Sequence, residues 1–135
     1  MKTIVVVGLD NEKSKDFARE LATELKLKFV SMDELLEEKL VCGFDFPLEN
    51  ANELMESMEK ILIENLLLKG DLVVSVSNEM FISNKEVFDL NRCFVLCLEE
   101  KPKDALFKNL QKLITSHSTA VIKSNMDFKL IKKLF

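Results

Sequence analysis

Apolar residues along this chain fall into short uninterrupted runs and longer one-sided stripes, and the two kinds alternate. Ile4–Val7 is β-branched throughout, the pattern of a central parallel strand buried on both faces. Gly8, Leu9, Asp10 and Asn11 break it. From about Glu12 to Lys26 the spacing predicts a helix with Phe17, Ala18, Leu21, Ala22 and Leu25 on one face. Leu27–Val30 reads as a second, short strand. Ser31, with Glu34 three residues on, gives the capping-box pattern for a helix over Asp33 to about Leu40. Val41–Leu48 is a loop with Gly43 and Pro47. A long helix follows over about Glu49–Leu68, with Leu54, Met55, Met58, Ile61, Leu62 and Leu66 along one stripe and Gly70 as its stop. Asp71–Ser77 carries a third buried strand, Asn84–Leu90 a short helix, and Cys93–Leu98 a fourth strand. Pro102 sits in the first turn of a helix to about Thr115. Ala120–Ile122 is a fifth strand, and Phe128–Phe135 closes the chain as a helix.

Strands that alternate with helices and are apolar on both faces imply an α/β fold: three layers, one five-stranded, mainly parallel sheet, and helices on both faces. Residues 1–135 are expected to form a single domain, with no repeat, low-complexity tract or linker. In such sheets ligands bind outside the carboxyl ends of the strands. That rule singles out Gly8–Lys15, Ser31–Asp33 and Ser75–Glu79.

The first strand ends in Gly8-Leu9-Asp10-Asn11-Glu12-Lys13-Ser14-Lys15 and runs into a helix, where a phosphate-binding loop would stand. The working motif, G-x-x-x-x-G-K-[ST], uses glycines to let backbone amides cradle phosphates, a Lys on the β- and γ-phosphates and a hydroxyl on Mg²⁺. Gly8 and the pair Lys13-Ser14 match. The second Gly is missing, and the loop is one residue short when Lys13-Ser14 are aligned with the motif's pair. Asp10 and Glu12 add carboxylates where an anion would lie, and like charge opposes it. Gly8, Lys13, Ser14 and Lys15 are therefore the candidate cofactor-binding residues of a relic loop, and Mg-ATP is the cofactor only if that loop still binds.

At this point the chain, nearly end to end, resembles the shikimate kinase family of P-loop kinases. The stretch IVVVGLDNEKSKDFARELATELKLKFVSMDELLEEKL carries the resemblance best, and order and spacing carry it further than intact motifs do. The family's F-x-D-x-D segment matches Phe29-Val30-Ser31-Met32-Asp33. Its first acid, associated with Mg²⁺, is Ser31 here. Its second, associated with substrate hydroxyls, survives as Asp33, the candidate catalytic and substrate-binding residue. The family's F-R-x-x-E matches Met55-Glu56-Ser57-Met58-Glu59, so the Arg that holds the shikimate carboxylate has become Glu56. The triple-glycine turn after the third strand is replaced by Ser77-Asn78-Glu79, and backbone approaches a ligand less closely without glycine. The Arg-rich lid has no counterpart before the last strand. The only two arginines, Arg19 and Arg92, match none of the family's sites, and arginine is the residue suited to clamping carboxylate and phosphate. The resemblance implies the fold. Five separate departures at one site imply that phosphoryl transfer has been lost.

Composition narrows the remaining choices. A 47% hydrophobic share excludes disorder, and a net charge of -4 gives no general attraction to nucleic acid or anionic membrane. Lys129, Lys132 and Lys133 read as the solvated face of the last helix. No run reaches membrane-span length and Met1–Val7 is not a signal peptide, so a cytoplasmic location is expected. Cys93 and Cys97 lie on one face of a strand about 13 Å apart, too far for a disulfide, and read as buried small hydrophobes. Cys42, in a loop, is the better candidate for a reactive thiol. His117, the only histidine, reads as a turn residue. No metal-ligand spacing of Cys and His occurs.

Three functions stay open. The chain could be a non-catalytic binding or scaffold module, with self-association or a protein partner signalled by the dense run Ile61-Leu62-Ile63 and Leu66-Leu67-Leu68. It could be a divergent small-molecule kinase using Lys13 or Lys15, Ser14 and Asp33. It could be a regulatory domain that holds a nucleotide or metabolite, with Asp10, Asp33 and Glu79 able to crowd a hard cation.

Overall fold

A computed structural model describes residues 1–41, 51–123, 131 and 133, with the backbone alone for 39–41 and 51–55. The elements run β1 (Thr3–Val7), α1 (Asn11–Leu25), β2 (Lys28–Ser31), α2 (Met32–Val41), α3 (Ala51–Lys69), β3 (Leu72–Ser75), α4 (Asn78–Ser83), β4 (Cys93–Glu99), α5 (Ala105–Ser116) and β5 (Ala120–Lys123). The five strands form one sheet in the order β2-β3-β1-β4-β5, and all four pairings are parallel. Val6 faces Ser75 across one pairing and Leu96 across the other. The expected three-layer α/β architecture is therefore the observed one.

β1 lies at the centre, and every one of its residues is buried. Its alternate side chains feed two cores. Ile4 and Val6 pack with Phe17, Ala18, Leu21 and Ala22 of α1 and with Ile131. Val5 and Val7 face Met32 and Leu36 of α2, Ile63, Leu66 and Leu67 of α3, Phe81 of α4 and Ile114 of α5. This is why the strands read as continuous apolar runs: each residue has a helix over it, whichever way it points.

The helix ends follow local chemistry. Asp10 caps α1, its side chain accepting from the amides of Glu12 and Lys13. Lys26 closes α1 in the left-handed region at φ 57°, with no glycine. Gly70 follows α3 at φ 68°, and a Cβ there would stand 2.7 Å from the Met1 carbonyl oxygen.

Four expectations are corrected. The short helix expected at Asn84–Leu90 lies earlier, at Asn78–Ser83, because Ser77 caps it through the Met80 amide at 3.2 Å. Residues 84–90 are turns after it. Pro102 precedes α5 and is not in its first turn, since Asp104 caps the helix by accepting from the Phe107 amide at 3.0 Å. On α3 the buried stripe is Ile63, Leu66 and Leu67, with Met58 and Leu62 partly buried, whereas Ile61 is 58% exposed and Leu68 75%. The Ser31 cap forms, through the Glu34 amide at 3.4 Å, but the Glu34 carboxylate pairs with Lys15, so the reciprocal half of the capping box is spent elsewhere. Of the loop expected over Val41–Leu48, Val41 instead ends α2, and the rest, with Cys42, lies outside the described residues, as does most of the closing helix over Phe128–Phe135; Ile131 within the latter is fully buried.

Candidate functional site

The carboxyl ends of β1, β3 and β4 open into two clefts. The larger, of about 690 Å³, lies between the β1–α1 turn and the segment after β4; Asp10, Lys13, Glu100, Lys101, Lys103 and Phe107 line it. The smaller, of about 390 Å³, lies between α1, α2 and the end of β3 and is lined by Glu12, Lys15, Asp33, Glu34, Ser75 and Glu79 among others. Asn11 borders both.

In the first cleft the turn's amides are already answered. The Asp10 carboxylate takes the amides of Glu12 at 3.0 Å and Lys13 at 3.2 Å. The Asp10 amide itself donates to Glu100 Oε2 at 3.0 Å. These are the donors that a helix N-terminus offers to an anion. Glu100 Oε1 is buried and has no hydrogen-bond partner among the described residues. Burial pushes the Glu100 carboxyl above the usual carboxylate range; the Asp10 amide opposes the rise, the Asp10 charge adds to it, and the Lys13 charge opposes it. Ser14 is buried, and its hydroxyl donates to the Asp10 carbonyl at 2.9 Å, with the Asn11 carbonyl at 3.3 Å. Lys13 is exposed in the cleft. Triphosphate with Mg²⁺ does not fit this turn as it stands: carboxylates hold its amides, and the serine proton points into the backbone.

The candidate residues thus separate. Gly8, Lys13 and Ser14 meet at the first cleft's turn, where a Cβ on Gly8 would approach Leu98 Cβ to 3.2 Å. Lys15 belongs to the second cleft, in an ion pair with Glu34 that raises the lysine's pKa and lowers the glutamate's. Asp33 is there too, with Oδ2 accepting the Ser77 amide at 3.0 Å. A hard-cation site of Asp10, Asp33 and Glu79 does not form. Asp10 lines the other cleft, and among the described residues no three His, Cys, Asp or Glu side chains are placed to hold a metal. Glu56 is exposed on α3 and lines neither cleft.

Two residues outside these candidates organise the site. Asn78 is buried, and its side-chain amide donates to the carbonyls of Gly8 at 3.2 Å and Leu9 at 2.9 Å. Its backbone amide donates to Asn11 Oδ1 at 3.0 Å. It therefore ties the turn after β1 to the start of α4. Glu100 is the other. The strand-end rule, applied to β4, points to the Glu99-Glu100 pair.

Cys93 and Cys97 are free thiols and buried, as their strand positions implied. Burial, then the Asp89 charge, pushes the Cys93 thiol up to about 11, and burial raises Cys97 as well. His117 closes α5 as its C-cap, with Nδ1 3.0 Å from the Leu113 carbonyl.

No protein-family model and no curated protein sequence matches this chain. Solved structures do. Shikimate kinase from Aquifex aeolicus superposes with a TM-score of 0.68 at 18% identity, covering 98% of this chain and 92% of that one. The fold is that of the shikimate kinases. The enzyme from Acinetobacter baumannii, solved with shikimate, gives 0.65 at 16% identity, covering 99% and 90%. Dephospho-CoA kinase from Campylobacter jejuni gives 0.59 at 14%, covering 98% and 96%. The shikimate-kinase-like order of β1, turn, α1, β2 and α2 is thus observed. Between β4 and β5 this chain has α5 alone as regular structure.

Proposed function

We propose that residues 1–135 form one kinase-fold domain that has given up phosphoryl transfer and serves as a binding module in the cytoplasm. One observation carries this reading. The amides that would cradle phosphate are taken by the carboxylates of Asp10 and Glu100. A carboxylate held in that position imitates the anion it excludes, and its charge repels a second one. Ser14 reinforces the reading, since its hydroxyl proton is given to a backbone carbonyl. Exposed Ile61 and Leu68 on α3 and Leu106 on α5 are the apolar positions available for self-association or a protein partner.

A second reading, a domain that holds a metabolite as a regulator, is favoured by the presence of two clefts at the strand ends, each of small-molecule size. Catalysis by a divergent loop would use Lys13 or Lys15 with Ser14 and Asp33, but Lys13 lines one cleft and Asp33 the other, and Lys15, which shares Asp33's cleft, is paired with Glu34.

The test is a thermal unfolding scan with Mg-ATP, Mg-ADP and shikimate, run beside an ATP turnover assay. A ligand at about a hundred times its dissociation constant stabilises by about 2.7 kcal/mol, a shift of several degrees in a chain this size. The expected result is no shift at millimolar nucleotide and no turnover. Turnover that disappears on Lys13→Ala would overturn the proposal.

A further inference from the structure

We propose that the smaller cleft, between α1, α2 and the end of β3, binds an aliphatic cation with two or more ammonium groups. The inference rests on reading the chain as a binding module and names the ligand class. Its first support is charge. Glu12, Asp33, Glu34, Glu37 and Glu79 face a cleft whose only cationic lining residue is Lys15, and Lys15 is already paired with Glu34. Among the described residues none of the other four carboxylates has an ion pair. A concave surface lined by one sign of charge concentrates the opposite one.

The second support is independent of charge. Ser75 ends β3 on the cleft floor, is only 4% exposed, and makes no side-chain hydrogen bond among the described residues. Its hydroxyl therefore presents an acceptor and a donor to whatever enters the cleft. Asp33 is fixed beside it by the Ser77 amide on Oδ2, with Oδ1 unpartnered among the described residues.

The arrangement selects among cations. A metal ion needs its ligands gathered within about 2–2.6 Å of one point, and no three acidic side chains among the described residues are so placed. Dispersed carboxylates suit a ligand whose charges are themselves spread out, with methylenes between them. The cleft's volume of about 390 Å³ accommodates such a chain. Val76 supplies an apolar wall for the methylenes.

Titration calorimetry on the full chain, with spermidine, 1,4-diaminobutane and Mg²⁺ as separate probes at about 150 mM salt, tests the idea. Saturable one-to-one binding of spermidine is expected, tighter than that of Mg²⁺. The exposed pair Glu37→Gln/Glu79→Gln should weaken it roughly tenfold or more with the circular dichroism spectrum unchanged. Ser75→Ala should weaken it several-fold. Absence of saturable heat at millimolar spermidine overturns the proposal. So does Mg²⁺ that displaces spermidine at equal ionic strength, or an affinity that the double variant leaves unchanged; these would be the marks of diffuse screening. ATP turnover in the same sample would sink the non-catalytic reading on its own, and the spermidine isotherm would still decide this one.

Discussion

Glu100 and Asp10, ninety positions apart in the chain, meet through a single 3.0 Å hydrogen bond from the Asp10 amide to Glu100 Oε2. The bond brings two carboxylates to one turn, and burial and the Asp10 charge together hold the Glu100 pKa above its ordinary value. A carboxyl whose folded pKa is raised binds its proton more tightly folded than unfolded. Its contribution is most favourable below the unfolded pKa and is lost as pH rises through the folded pKa. Glu100→Gln should therefore raise the midpoint of unfolding at pH 7 and flatten its decline between weakly acidic and neutral pH. Unfolding scans across that range check it. An unchanged pH profile would mean that Glu100 is solvated like any surface acid.

Asn78 makes two buried side-chain hydrogen bonds to the β1–α1 turn. Asn78→Ala leaves the Gly8 and Leu9 carbonyls without that donor and should cost about 1–3 kcal/mol. Denaturant melts give the loss. Hydrogen exchange should show faster exchange at the amides of Asp10 to Lys13 than elsewhere in the sheet.

Gly70 turns the chain at φ 68°, and a Cβ there would stand 2.7 Å from the Met1 carbonyl oxygen. Gly70→Ala should destabilise by about 1–3 kcal/mol, since it adds left-handed strain to a backbone clash. Lys26→Gly, where the backbone is also left-handed, should go the other way by up to about 1 kcal/mol. Opposite signs from the two substitutions, in matched melts, are the expected outcome.

The thiols of Cys93 and Cys97 should be nearly inert. With a pKa near 11 for Cys93, only about 0.1% is thiolate at pH 8, and burial blocks access as well. In a Cys42→Ser background, reaction with a thiol reagent should track global unfolding, and urea should accelerate it. Rapid labelling in native buffer would contradict the burial.

The fold was legible because it rests on a period. Ile4–Val7, Leu72–Val74 and Cys93–Leu98 are apolar at every position, and only a sheet covered on both faces asks for that. Phe17, Ala18, Leu21 and Ala22 gave the face of α1 for the same reason. What failed was local. At Ser77-Asn78-Glu79 a capping serine outweighed the apolar cue further on, so α4 begins six residues before Asn84. On α3, apolar residues on more than one face left Ile61 indistinguishable from Ile63 until the packing was known. The site divided similarly. Gly8, Lys13 and Ser14 are neighbours in sequence and in space, whereas Lys15, one residue on, points to another cleft because a helix turns about 100° per residue. Glu100 was illegible from the turn alone, since only the β1–β4 pairing carries it there.

Asn11 stands on the wall shared by the two clefts, with its side-chain Oδ1 held by the Asn78 backbone amide. An occupant of either cleft that draws this side chain toward itself changes the shape of the other. Thermodynamic linkage then makes the influence mutual and equal in both directions. The Asn11 side chain, fixed by Asn78, is thus a surface common to both clefts, and its position bears on the shape of each.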